Sequence, residues 1–244
     1  KGLRRGLSLN NDIWYFISSR ATFAIDQRTG ILAGLWDSKT DRRCVVASAD
    51  HYWMETRTSL VEADALDDRV IQASASEQHL ILSVTNPDLP GLSIMKEYWL
   101  KQDGILAKRF SVHARPAQPA LLRVSSRTYF DEAFLAKAYY QRLLHPTINV
   151  DSIRKAKSVN APVAQPGFMG GTPDGCAQFC ASALASGIGV GEYLLNINGK
   201  YAYPPRSLNK SYWTPWGWEM SWMACFLRPE PFRSEVHYML YEGD

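Results

Sequence analysis

Hydrophobic and polar residues alternate along the first half of the chain. Between residues 12 and 128, short runs rich in Val, Ile, Leu, Phe, Tyr and Trp are separated by polar turns, which is typical of antiparallel strands. In RATFAIDQRTGILAGLWD, Ala21, Phe23 and Ile25 alternate with polar or small neighbours before a turn that ends in Gly30. This stretch predicts a β-hairpin.

Two dipeptides predict further hairpins. Asp103-Gly104 and Asn198-Gly199 each lie between apolar runs, and such pairs readily take the positive φ angles of a tight turn. The sequence therefore predicts a mainly β protein, a large antiparallel β-sandwich that residues 1–244 form as a single domain.

One segment has the apolar spacing of a helix. Residues 130–144 carry apolar side chains three and four positions apart, with Thr128 as a candidate cap and Pro146 as a stop. We expect one helix of two or more turns there. A long loop over residues 146–175, rich in Pro, Gly and Asn, is predicted after it.

Charge and hydropathy exclude two broad classes of function. The 244 residues carry a net charge of only +3, and no run of five basic residues occurs, so a nucleic-acid partner is not expected. No stretch of about 18 apolar residues occurs, so no membrane span is expected. The chain begins at Lys1 and stops at Asp244 directly after a predicted strand. We therefore expect the N-terminal part of a larger multidomain protein.

Cysteine and histidine patterns indicate no bound metal or cofactor. The cysteines are too scattered for a disulfide framework, so we interpret them as small buried side chains. The histidines show no metal-ligand spacing, and no nucleophile or dinucleotide motif occurs. The cysteines are Cys44, Cys176, Cys180 and Cys225, and the histidines are His51, His79, His113, His145 and His237.

A tryptophan cluster is the strongest candidate for binding. NKSYWTPWGWEMSWM, residues 209–223, contains four of the eight tryptophans. Even spacing places Trp216, Trp218 and Trp222 on one strand face, where core packing competes with ligand binding. Trp213, beside Pro215, is expected in a loop. Aromatic rings stack on the apolar face of a sugar while polar groups bind its hydroxyls. The carbohydrate-binding residues predicted on this basis are Trp213, Trp216, Asn209 and Glu219.

Catalytic residues are not predicted. Glycosidic hydrolysis needs two facing carboxylates about 5–10 Å apart. Four carboxylates lie in aromatic, strand-like surroundings, but the sequence pairs no two of them. They are Glu55, Glu97, Glu192 and Glu219.

Two of the hairpins resemble a known family. SRATFAIDQRTGILAGLWDSKTDRR and KEYWLKQDGILAKRFSVHA resemble the galactose mutarotase-like β-sandwich, or supersandwich, domain that precedes the catalytic domain in several glycoside hydrolases. The mutarotase enzymes of this family carry a histidine pair, one in an Asn-His-x-Tyr-Phe segment, and a carboxylate. This chain has no such segment, and neither His51 nor His113 matches one. No catalytic role is therefore carried over.

The resemblance implies a non-catalytic β-sandwich of a carbohydrate-active, glycoside hydrolase-type protein. Such a domain packs against a C-terminal catalytic domain of the same chain and contributes to carbohydrate binding, and a secreted or periplasmic location is favoured. Two alternatives stay open. One is a stand-alone aldose epimerase or glycosidase with an unrecognised carboxylate pair, and the other is a carbohydrate-binding module.

Overall fold

The described residues form two antiparallel sheets. The computed structural model describes residues 6–114, 120–135, 139–142, 168–169, 179–185, 187–196, 211–214, 217–226 and 231–242. Strands are numbered in chain order. The ten-stranded sheet contains β1 (Gly6–Asn10), β2 (Ile13–Ile17), β3 (Ala21–Asp26), β4 (Leu32–Asp37), β5 (Arg42–Glu55), β6 (Leu60–Asp64), β11 (Ala120–Phe130), β13 (Phe168–Met169), β16 (Ser211–Thr214) and β17 (Gly217–Phe226). The eight-stranded sheet contains β7 (Arg69–Ala75), β8 (His79–Thr85), β9 (Leu92–Gln102), β10 (Ile105–Ala114), β12 (Tyr139–Arg142), β14 (Phe179–Ala185), β15 (Ile188–Asn196) and β18 (Phe232–Glu242).

The order of strands explains how distant segments meet. The ten-stranded sheet runs β1-β2-β3-β4-β5-β11-β17-β16-β13, with β6 paired to β5, and the other sheet runs β12-β14-β15-β18-β10-β9-β8-β7. Strands β5 and β11 are thus neighbours although a whole run of the eight-stranded sheet lies between them in sequence. The predicted β-sandwich is confirmed.

The core lies between the sheets. Every second residue of a strand faces inward, and the inward positions of both sheets carry large apolar side chains. Fully buried examples are Phe16, Phe23, Tyr52, Tyr98 and Phe110. Tyr52 and Phe110 stack across the two sheets with ring centroids 6.1 Å apart. No described helix is long and apolar enough to cross a membrane.

Two of the three predicted hairpins are confirmed. Strands β3 and β4 pair from Ala21↔Asp37 to Ile25↔Leu32, and β9 pairs with β10 around Gly104. Gly30 and Gly104 have φ angles of 67° and 74°, which a residue without Cβ adopts at little cost. The third hairpin, at Asn198-Gly199, lies outside the described residues.

The helix prediction is wrong in length. Helix α1 spans only Glu132–Leu135, and Tyr139–Arg142 pairs with β14 as a strand. The helical spacing has another origin: Phe130, the end of β11, packs on Phe134 with ring centroids 5.4 Å apart. Asp131, not Thr128, accepts the backbone N–H of Ala133 at 2.9 Å. The predicted loop lies outside the described residues except for β13.

The turn between β9 and β10 yields a stability prediction. An added Cβ at Gly104 would lie 2.6 Å from the backbone oxygen of Leu240, at a φ of +74°. We expect Gly104→Ala to lower the free energy of unfolding by about 1–3 kcal/mol. Gly91→Ala is the matched control, because nothing lies within 4 Å of its added Cβ. Urea titrations measure both, and equal stabilities of the two variants would contradict the prediction.

Candidate functional site

The residues predicted from sequence to bind carbohydrate do not form one site. Asn209 and Trp216 lie outside the described residues. Trp213 lies in β16, not in a loop, and its position pairs with Trp218. Glu219 lies in β17, at a position that pairs with Arg127 of β11.

The register places positions 213 and 219 on opposite faces of the ten-stranded sheet. Positions that pair across two strands share a face of the sheet, and successive residues of one strand alternate between the two faces. Position 213 pairs with 218, which pairs with Thr128, and Thr128 is buried between the sheets. Position 219 is on the other, outer face with Arg127. Carbohydrate binding by these residues stays a prediction.

The described part of the outer face carries a cluster of charged and aromatic side chains. We call it the β5/β11 cluster, and it consists of His51, Trp53, Glu62, Asp64 and Arg127. Strand β5 presents Ser48, Asp50 and Tyr52 to the interior, so its odd-numbered residues His51 and Trp53 face outward. The register then brings Asp64 opposite His51 and Glu62 opposite Trp53.

His51 is at the centre of this cluster. Its Nε2 lies 2.6 Å from Glu62 Oε1, and its Nδ1 lies 3.0 Å from Arg127 Nη1 and 3.4 Å from Asp64 Oδ2. The imidazole is buried, whereas 58% of the Glu62 side chain is exposed. The cluster therefore opens to solvent on the Glu62 side.

Trp53 supplies an aromatic surface beside these charges. The guanidinium carbon of Arg127 lies 5.4 Å from the centroid of the indole, and the ring of His51 meets its edge at 4.1 Å. Both Trp53 and Arg127 are partly exposed. Stacking of a guanidinium on an indole holds both side chains in place.

Asp64 is held ionised in this setting. Partial burial alone would raise the pKa of Asp64, but hydrogen bonds from His51 and from the backbone N–H of Leu66 hold it below its ordinary value. The charge of Arg127 acts in the same direction. The cluster thus combines fixed carboxylate acceptors with a permanent guanidinium donor.

A buried hydroxyl network supports Arg127 from beneath. The residues on either side of it in β11, Ser126 and Thr128, each donate a hydrogen bond of 2.6 Å to the carboxylate of Glu192. The Thr128 hydroxyl also lies 2.8 Å from the hydroxyl of Ser48 in β5. Because Glu192 belongs to the eight-stranded sheet, these bonds tie both sheets together below the cluster.

Four buried charges form a second interior network, beside the first. Lys108 of β10 lies 2.5 Å from Asp50 of β5. Lys96 of β9 lies 3.3 Å from Asp50 and 2.9 Å from Asp68, and all four side chains are at most 1% exposed. Two lysines thus neutralise two aspartates in the core.

The surroundings of these charges agree with that pairing. Burial alone would raise the pKa of Asp50, but the charges of Lys108 and Lys96 hold it below its ordinary value. Asp68 also accepts hydrogen bonds from Tyr52 at 2.9 Å and from Asn86 at 2.8 Å. The network is therefore extensively hydrogen-bonded, as a buried ion pair requires.

The four carboxylates named from sequence do not meet. Glu192 is buried in the core, and Glu97 is on the outer face of the eight-stranded sheet, beside Arg109 and His79. Glu55 is exposed at the end of β5. Position 219 pairs with Arg127, beside the β5/β11 cluster.

Cys44 is the cysteine whose side chain the structure describes, and its thiol is not poised to react. Cys44 is fully buried, and burial raises the pKa of its thiol to about 12. It is the small buried side chain that we expected. In the described part of the chain, no three His, Cys, Asp or Glu side chains are arranged to hold a metal ion.

Known proteins resemble this chain in structure and not in sequence. No protein-family model and no curated protein matches the sequence. Among solved structures, a galactose mutarotase related enzyme from Lactobacillus acidophilus is similar, with a TM-score of 0.59, 9% identity, and 94% of this chain and 97% of that chain covered. A GalM/aldose epimerase homologue from C. elegans has a TM-score of 0.55 at 8% identity, covering 93% and 97%. A galactose 1-epimerase from Lactobacillus acidophilus has a TM-score of 0.53 at 9% identity, covering 98% of each chain.

The chain has the galactose mutarotase-like fold. Identities this low show the fold alone.

Sequence reasoning missed the centre of the β5/β11 cluster. His51 and Trp53 alternate with Asp50 and Tyr52, so a period of two was visible. Nothing in the sequence showed that β11 lies beside β5, because 76 positions separate His51 from Arg127, whose side chains lie 3.0 Å apart.

Proposed function

We propose that this chain is a non-catalytic, carbohydrate-binding β-sandwich of a carbohydrate-active protein. It holds a sugar on the outer face of the ten-stranded sheet, over the β5/β11 cluster. The observation that carries the proposal is the partly exposed Trp53 between Arg127 and His51, with two carboxylates at the rim.

This arrangement suits the two surfaces of a sugar ring. The axial C–H groups of a pyranose form an apolar patch that covers an aromatic face such as Trp53. Its hydroxyls need donors and acceptors at the rim. Arg127 donates, Glu62 and Asp64 accept, and these side chains are already held by one another. Pre-organised polar groups lose little entropy on binding.

Arg127 supports a binding role over a catalytic one. A guanidinium keeps its proton throughout the physiological pH range, so it cannot accept one from a substrate. Enzymes of the mutarotase family move a proton at the anomeric centre with a histidine pair and a carboxylate. In the proposed site, Arg127 therefore binds hydroxyls as a donor and does not accept their protons.

The binding prediction concerns Trp53 and Arg127. We expect the protein to be retarded in native gels that contain soluble galactan, xylan or mixed-linkage glucan. Trp53→Ala and Arg127→Met should each weaken this binding about tenfold, because a desolvated aromatic or cationic contact contributes on the order of 1–2 kcal/mol. Trp36→Ala is the matched control, since Trp36 also lies under a guanidinium, that of Arg43 at 5.1 Å, but outside the cluster.

Two results would contradict the proposal. One is binding that neither Trp53→Ala nor Arg127→Met weakens. The other is mutarotation of α-D-galactose above background, followed by polarimetry, because a non-catalytic domain leaves that rate unchanged.

A second candidate function is aldose epimerisation. It is favoured by the pairing of positions 127 and 219, which sets a glutamate beside the cluster, and by the aldose epimerases among the structural neighbours. Polarimetry decides between the two functions. Catalysis that is lost in Glu219→Gln would establish the second.

The proposed domain belongs to a larger carbohydrate-active protein. A C-terminal catalytic domain of the same chain stays a prediction, which the length of the native polypeptide decides.

A further inference from the structure

The opposite outer face, on the eight-stranded sheet, carries a second polar and aromatic cluster. Trp99 of β9 lies between His79 of β8 and Ala107 of β10 in the register. One row along, Arg109 lies between Glu97 and Glu235. We call this set the β9/β10 cluster, and it consists of His79, Glu97, Trp99, Arg109, Glu235 and His237.

Arg109 bridges two carboxylate–histidine pairs. Its Nη1 lies 3.4 Å from Glu97 Oε2, and its Nη2 lies 3.3 Å from Glu235 Oε2. The other oxygen of each carboxylate contacts a histidine, with 2.9 Å from Glu97 to His79 and 2.5 Å from Glu235 to His237. The five side chains therefore fix one another in a row across four strands.

Trp99 borders a depression beside this row. The guanidinium of Arg109 lies 5.0 Å from the indole centroid, and the ring of His79 meets the indole at 5.8 Å, edge to face. The depression has a volume of about 480 Å³, and its lining includes Gln78, His79, Glu97, Trp99 and Arg109. The depression is open to solvent, so a ligand would lie on it rather than be enclosed by it.

The charges of the cluster indicate the class of ligand. Two carboxylates, Glu97 and Glu235, are balanced by Arg109 and by Lys101, whose Nζ lies 4.0 Å from Glu235. The balance leaves no net attraction for an anion. Donors and acceptors held around an aromatic ring are suited to a neutral ligand that has both hydroxyl groups and an apolar face.

We propose that the β9/β10 cluster is a second carbohydrate site, which takes a neutral pyranose residue on Trp99. It shares its ligand class with the proposed function but depends on different residues. Because the two clusters lie on the outer faces of opposite sheets, one molecule then engages two polysaccharide chains and cross-links them.

The test compares single and double variants of the full chain. In native gels that contain galactan, xylan or mixed-linkage glucan, Trp99→Ala and Trp53→Ala should each lose at least tenfold in apparent affinity, since bivalent attachment is lost. The double variant should migrate as it does without polysaccharide. Mixtures of wild type and polysaccharide should turn turbid by cross-linking, and either single variant should stay clear.

Several outcomes separate the two proposals. A Trp99→Ala variant that is retarded like the wild type, with a double variant that matches Trp53→Ala, overturns the second site alone. A Trp53→Ala variant that is retarded like the wild type, with a double variant that matches Trp99→Ala, overturns the β5/β11 cluster as a binding site and leaves the second site in place. His79→Ala, at the exposed start of β8, repeats the test if Trp99→Ala does not fold. A wild type that no polysaccharide retards overturns both sites.

Discussion

Replacing Lys108 with methionine is expected to lower the free energy of unfolding by about 3–5 kcal/mol, the usual loss when one partner of a buried ion pair is removed. Methionine keeps the length of the side chain but not its charge. Asp50 then stays in the core with only Lys96, at 3.3 Å, to neutralise it, while Lys96 also serves Asp68. Urea titration followed by tryptophan fluorescence at pH 7 measures the change.

Lys101→Met is the matched control for this substitution. Lys101 is half exposed, and exposed ion pairs contribute about 0–1 kcal/mol. A Lys108→Met protein as stable as Lys101→Met would show that the interior charges are not paired as described.

Removing both partners at once is expected to restore most of this loss. In the double variant Asp50→Val/Lys108→Met, no uncompensated charge remains from this pair, and Lys96 keeps Asp68 at 2.9 Å. Apolar replacement of a whole buried pair is typically neutral or stabilising by about 1–4 kcal/mol. Because each single substitution leaves the other charge buried without its partner at a cost of about 3–5 kcal/mol, we expect a coupling energy of at least about 3 kcal/mol between the two positions, the upper end of the usual range for residues in one network.

The complete double-mutant cycle tests this expectation. It needs Asp50→Val alone, Lys108→Met alone and the double variant, all measured by urea unfolding. Losses that simply add would mean that Asp50 and Lys108 act independently, which their 2.5 Å contact does not allow.

The hairpins were predictable because their signals are local. The alternation in β3 and the turn glycines at positions 30 and 104 are both visible within a few residues of sequence. The helix was predicted wrongly because Phe130 and Phe134 have helical spacing although Phe130 ends a strand. Pairing of β12 with β14 across a long interval of sequence then overrode the local pattern.

The interior charges left a signal that alternation alone could have revealed. In β9, Lys96 shares its parity with Ile94 and Tyr98, and in β10, Lys108 shares its parity with Leu106 and Phe110. A lysine among the apolar residues of one strand face either lies where that face reaches solvent, or is buried and paired with an opposite charge. The sequence could not name Asp50 as that partner, because the pairing depends on how the two sheets pack.

The two outer clusters were less predictable for the same reason. Each joins side chains from three or more strands, and only the order of strands brings them together. The tryptophans of residues 209–223 attracted attention because they are adjacent in sequence. Trp53 and Trp99, which stand alone in sequence, each lie against a guanidinium in the described part of the chain.

The alternation of β5 has an evolutionary consequence. Its fourteen residues set Asp50 and Tyr52 in the core and His51 and Trp53 at the surface. Loss or gain of a single residue within the strand would exchange the two sets, because a shift of one position turns every later side chain to the opposite face. We therefore expect insertions and deletions among related sequences to fall in the turns that flank β5, and changes within the strand to be substitutions.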